Sequence, residues 1–191
     1  MTSLVQRKFG AAAKDYATSS VHARGETLAR LVALTEPQPS WRVLDIATGA
    51  GHTALTFAPH VAKVTASDIT DEMLGEAREL AQTQGIRNLK TVRAAAEDLP
   101  FPDMCFDLVT CRLAAHHFND VSAFAREAHR VLMPGGRFAL VDNISPDPVL
   151  CPDLKPAGVD ALSGAYNALE KLRDPSHRRC LGLEEWCALL A

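Results

Sequence analysis

The sequence predicts an α/β protein with a doubly wound, mainly parallel sheet. Three features carry this expectation: short apolar runs at 43–47, 64–67, 89–92, 106–111 and 138–141, longer amphipathic stretches between them, and short joints, the first rich in glycine. Apolar runs bounded by turns suit strands buried on both faces, and right-handed crossovers wind such strands into one sheet. With 191 residues, a net charge of −3, 47% hydrophobic and 23% charged residues, the chain has the composition of a folded domain. Its slightly acidic balance speaks against a general nucleic-acid binder. The apolar runs fall short of the ~20 residues of a membrane span, and residues 1–10 lack the apolar middle of a signal peptide. Five cysteines without a CxxC pair read as reduced thiols, so a cytoplasmic location is expected.

The elements follow in order. Phe9, Ala12, Ala13 and Tyr16 recur at helical spacing, as do Leu28, Leu31, Val32 and Ala33, so residues 1–40 form a helical lid that Pro37 and Pro39 close off. Residues 41–145 hold the sheet. A helix with Ala54, Leu55 and Phe57 follows the first strand. Thr70 is placed to cap the next helix, with Asp71 and Glu72 in the first turn, Met73, Leu74, Ala77, Leu80 and Ala81 on the buried stripe, and Gly85 at the stop. Val121, Phe124, Ala125, Ala128, Val131 and Leu132 share one face of a helix ended by Pro134, Gly135 and Gly136. Past Asn143 come Pro146, Pro148, Pro152 and Pro156, then helical stretches at 161–173 and 183–190. No strand candidate follows, so residues 146–191 form a carboxyl-terminal helical segment of the same domain and the sheet has five strands.

The sharpest local feature is the turn after the first strand, in which Gly49 and Gly51 permit conformations and close approaches that a Cβ would block. The helix after it offers free N–H groups and a positive dipole end. Gly49 to Ala54 also satisfies the GxGxxG/A dinucleotide pattern, and the alternative is a tight turn without a ligand. Asp68 ends the second strand about where an acid would meet a ribose diol; the alternative is a helix N-terminal acid.

In this order and spacing, LDIATGAG (44–51), the acid at 68, AEDLPFPDMCFDLV (96–109) and RVLMPGG (130–136) make the chain resemble class I S-adenosylmethionine-dependent methyltransferases. The resemblance is greatest to the branch akin to ubiquinone/menaquinone-biosynthesis C-methyltransferases and covers roughly residues 41–143. It implies a Rossmann-like methyltransferase fold, S-adenosyl-L-methionine as cofactor and a small-molecule methyl acceptor. Asp45, Gly49 and Gly51 would line the methionine moiety, and Asp68 would bind the ribose hydroxyls. Ile69 would pack on the adenine, with the Ala96 amide and Glu97 at its edge. Cys111 would approach the transferable methyl, and Tyr16 and His22 would act as lid residues touching the cofactor carboxylate or the acceptor. Ala95 stands where the family often has an acid. Relatives also carry two further strands; without them the edge from Phe138 to Val141 would be bare, and a second copy or another chain is expected to cover it, unless the chain is a fragment.

Methyl transfer needs a general base only for a weakly nucleophilic acceptor such as a hydroxyl or carbon acid. His116 and His117 follow the fourth strand on the crevice side of the sheet and are the candidates. Adjacent residues point apart, so at most one faces a substrate; the alternative makes His117 a helix-start residue stacking on Phe118. Without a spaced acid they do not read as metal ligands. His177, Arg178 and Arg179 either clamp an anionic acceptor or form a solvated loop, and Asp142 and Asn143 either line the acceptor pocket or cap a turn. The reaction expected is C- or O-methylation. The alternatives are an S-adenosylmethionine-binding protein without turnover and an NAD-dependent oxidoreductase.

Overall fold

The computed structural model describes residues 4–18 and 26–191. Five parallel strands lie in the order β3-β2-β1-β4-β5: β1 (Arg42–Ile46), β2 (Lys63–Asp68), β3 (Leu89–Arg93), β4 (Phe106–Arg112) and β5 (Leu132–Val141). The chain winds outward from β1 to β3, then restarts on the other side of β1 with β4. The place where winding reverses is where open α/β sheets form their crevice. β5 forms one edge and pairs only with β4 among the described residues, as expected for 138–141.

The helices are α1 (Leu4–Thr18), α2 (Glu26–Thr35), α3 (His52–Phe57), α4 (Asp71–Thr83), α5 (Val121–Val131), α6 (Pro156–Arg173) and α7 (Leu183–Leu190). Alternate strand residues enter two different cores. Leu44, Ile46, Val109 and Cys111 pack with Phe124, Ala128 and Val131 of α5 and Trp186 of α7. Val43, Val64 and Leu108 pack with Leu31 of α2 and with Ala54 and Phe57 of α3. Both faces are dry, which explains why these strands read as continuous apolar runs. Fully burying a side chain such as Phe124 contributes ~1.5–3 kcal/mol.

Two boundaries differ from the expected ones. α5 stops at Val131 and β5 starts at Leu132, opposite Phe106, before the proline–glycine turn. Pro134 disfavours helical backbone at Met133, and Gly135 takes φ +79°, so 133–136 bulge within the strand. α6 begins at Pro156, whose fixed φ suits a helix's first turn. Thr70 occupies the N-cap of α4, but its side chain caps no amide there; it hydrogen-bonds Asp68. Among the described residues no helix is long and apolar enough to cross a membrane.

Candidate functional site

At the carboxyl end of β1 the chain bends sharply. Ala47 (φ +51°), Gly49 (φ +56°) and Gly51 (φ +88°) are left-handed, and Ala47 takes that conformation despite its Cβ. The bend is held by hydrogen bonds from Thr48 N to Ser67 O (2.9 Å) and from Gly51 N to Thr48 O (3.0 Å). The Gly49 amide donates to Asp68 Oδ2 at 2.9 Å, and the Thr70 amide to Oδ1 at 2.9 Å. The glycine turn and the acid of β2 therefore meet. Burial pushes the Asp68 carboxyl up from its usual range, against the pull of those two amides. Each oxygen keeps accepting capacity for a further donor.

Asp45 is buried beneath the turn. Its Oδ2 accepts from the Thr48 hydroxyl at 2.5 Å and its Oδ1 from Thr110 at 2.7 Å. Burial outweighs both bonds and raises its pKa to about 6. Gly51 serves packing: a Cβ there would lie 2.8 Å from the Ala77 Cβ of α4.

The third wall follows β3. Ala94 N donates to Asp68 O at 3.0 Å, and Ala95 bridges to Asp98. Glu97 Oε1 accepts from Asn119 N at 3.0 Å. The stretch after it is clamped from α5: Glu127 Oε2 accepts from Leu99 N (2.8 Å), while Arg130 donates to Leu99 O (3.0 Å) and Phe101 O (2.8 Å). Arg130 of the RVLMPGG motif thus supports the cavity from behind, a role its turn-forming neighbours did not suggest.

The fourth wall follows β4, where Leu113 is also left-handed (φ +55°) and His116 and His117 occupy a 3-10 turn. His116 is buried, with Nδ1 2.5 Å from Asp142 Oδ1 and its amide donating to Asp142 Oδ2 at 2.9 Å. Asp142 thus holds His116 in place. The His117 ring stands 4.1 Å from that of His116 and edge-on to Phe9 at 5.1 Å, while Phe118 pairs with Phe124. Burial first, and then the neighbouring His116 ring, push the His117 pKa down to about 4. The carboxyl-terminal segment returns to this wall, with the amides of Arg178 and Arg179 donating to His116 O at 2.8 and 3.2 Å.

These walls enclose a cavity of about 200 Å³. Of the residues expected at the site, Asp45, Gly49, Asp68, Ile69, Ala96, Glu97 and His117 line it. Gly51 packs on α4, Cys111 lies in the core with α5, and His116 faces Asp142, so none of the three is among its lining residues. Tyr16 falls in α1 with its side chain outside the described residues, and His22 lies outside them altogether. Phe9, Met73, Leu113, Ser176 and Arg178 line the cavity as well. Arg178 belongs to the basic cluster legible in the sequence; Ser176 carried no signal.

A sheet of this topology with a glycine turn gripping a strand-end acid defines a nucleotide-type cofactor crevice, and residues 44–140 match the methyltransferase domain model: the chain belongs to that family. The methyl donor of the family is S-adenosylmethionine. Among its relatives is the uncharacterized methyltransferase YcgJ of Bacillus subtilis (strain 168), 44% identical over 184 residues, 96% of this chain and 68% of YcgJ. The crystal structure of YcgJ superposes with a TM-score of 0.76 at 45% identity, over 85% of this chain and 65% of that one. A protein of Bacillus halodurans C-125 reaches a TM-score of 0.79 at 41% identity, over 87% of this chain and 67% of its own. The ubiquinone/menaquinone biosynthesis C-methyltransferase UbiE of Brucella anthropi is 39% identical over 109 residues, 55% of this chain. The chain thus spans about two thirds of the YcgJ structure's length and 41% of UbiE.

Proposed function

We propose that the chain transfers a methyl group from S-adenosylmethionine to a carbon or oxygen of a small-molecule acceptor. When bound, the donor supplies an electrophilic methyl on a sulfonium. The observation that carries this reading is the contact between Gly49 N and Asp68 inside one cavity. Asp68, its oxygens already oriented by two amides, accepts from the ribose hydroxyls. Ile69 packs on the adenine, and the Ala96 amide and Glu97 face its edge. Gly49 admits the methionine moiety close to the backbone, beside Asp45. Asp45 is ionised above about pH 6 and complements a cationic donor. The acceptor enters opposite, between Phe9, Leu113 and His117, and His117 is the proton-accepting candidate.

The ligand class is tested by isothermal titration with S-adenosylmethionine and with its demethylated product, with NADH as control. Binding of the first two and not of NADH is expected; the reverse would overturn the reading. Asp68→Ala removes charge-assisted hydrogen bonds and is expected to weaken binding about tenfold or more. Unchanged affinity would refute the ribose assignment. Turnover on a panel of hydroxyl and carbon-acid acceptors then separates an enzyme from a binder.

A further inference from the structure

The segment joining α6 to α7 brings Ser176 to the cavity wall with Asp174 bonded to it, two buried polar residues that no motif announces. Asp174 Oδ1 accepts from the Ser176 hydroxyl at 2.5 Å, from the Ser176 amide at 2.8 Å and from Lys8 Nζ of α1 at 2.5 Å. Ser176 Oγ lies 3.2 Å from His117 Nδ1. A hydroxyl owns one proton, and so short an approach to a carboxylate oxygen places that proton on the line between them. Toward His117 the hydroxyl can then present only a lone pair, which requires a proton on Nδ1. Asp174 Oδ2 stays 4.0 Å from His117 Nε2, outside hydrogen-bond reach, and does not claim that nitrogen.

We propose that Asp174 and Ser176 are positioning residues that hold His117 as its Nδ1-protonated tautomer and leave Nε2 as the proton-accepting atom of the cavity. The charged and titratable groups facing the ring agree with a neutral imidazole. His116 stacks beside it and Asp142 lies behind His116, while Asp174 faces it with Lys8 already paired to that carboxylate. Burial and His116 disfavour the imidazolium more than Asp174 and Asp142 favour it. What Nε2 does rests on the methyl-transfer reading. The acceptor's O–H or C–H proton passes to Nε2, the freed electron pair forms the bond to the methyl carbon, and sulfur keeps the pair of the bond that breaks. The acceptor class is thus one that must lose a proton, a phenol or an activated carbon acid, in preference to an amine or thiolate.

Long-range proton–nitrogen NMR correlations of the 15N-labelled chain read the tautomer directly, with His117 assigned by its loss in His117→Gln. The wild type is expected to show a protonated Nδ1 and a bare Nε2 near neutral pH. In Ser176→Ala the tautomer ratio should shift toward Nε2–H by about fivefold, the worth of one hydrogen bond, and Ser176→Thr should restore it. A protonated Nε2 in the wild type, or an unchanged ratio in Ser176→Ala, overturns the proposal; the wild-type spectrum decides even where a variant fails to fold. Titration of the demethylated cofactor on the same samples separates the two readings. Absence of binding with the tautomer as stated would sink methyl transfer and leave the proton's position standing.

Discussion

Asp45 and Asp68 sit at the ends of neighbouring strands and meet burial in different ways. Asp68 is held by backbone amides, so its orientation follows from the fold of the turn itself. Asp45 depends on two side-chain hydroxyls, Thr48 and Thr110, which leave its pKa at about 6 against 3.8 for a free side chain. Because the folded value is the higher one, the stability Asp45 contributes is fully present below about pH 4 and is lost as pH rises through 6. The unfolding free energy of the wild type relative to Asp45→Asn should therefore fall by on the order of 3 kcal/mol between pH 4 and 7. Urea titrations at a series of pH values measure this, and a flat difference would refute the assignment. Both acids were legible in the sequence, since each is the lone carboxylate in or ending an apolar strand. Ser176 was not, because a serine in a proline-flanked loop has no periodicity to betray it and becomes informative only when the fold sets it beside His117.

At the scale of elements, the turn between β1 and α3 concentrates backbone strain. Gly51 is required twice over, by φ +88° and by an approach that would leave 2.8 Å between an added Cβ and Ala77. Gly51→Ala should cost about 2 kcal/mol or more in chemical denaturation, although Gly51 is not among the residues that line the cavity. The central strands β1, β2 and β4 are readable because residues on both of their faces are buried, whereas the edge strands β3 and β5 are only partly covered. The start of β5 is not readable, because proline and two glycines usually end a helix, whereas here they bulge a strand already begun at Leu132. Topology alone sets His117 on the crevice side of the sheet, where it lines the cavity. Its partners come from α1 and the carboxyl-terminal segment, contacts between positions far apart that no local pattern encodes.

The molecule as a whole is graded from its middle outward. β1 and β4 are central and paired on both sides, whereas β5 has a partner on one side only among the described residues. Amide hydrogen exchange should run slowest in β1 and β4 and measurably faster in β5; equal protection in β5 would mean that its outer side is covered, as by a second copy. Lys8 of α1 and Asp174 of the segment joining α6 to α7 share one contact, with Ser176 and then His117 immediately behind it. Trimming the first eight residues, or crowding them with a fused tag, would thus reach the imidazole through three polar links. A preparation altered at its amino terminus should be judged first by the chemistry of that ring.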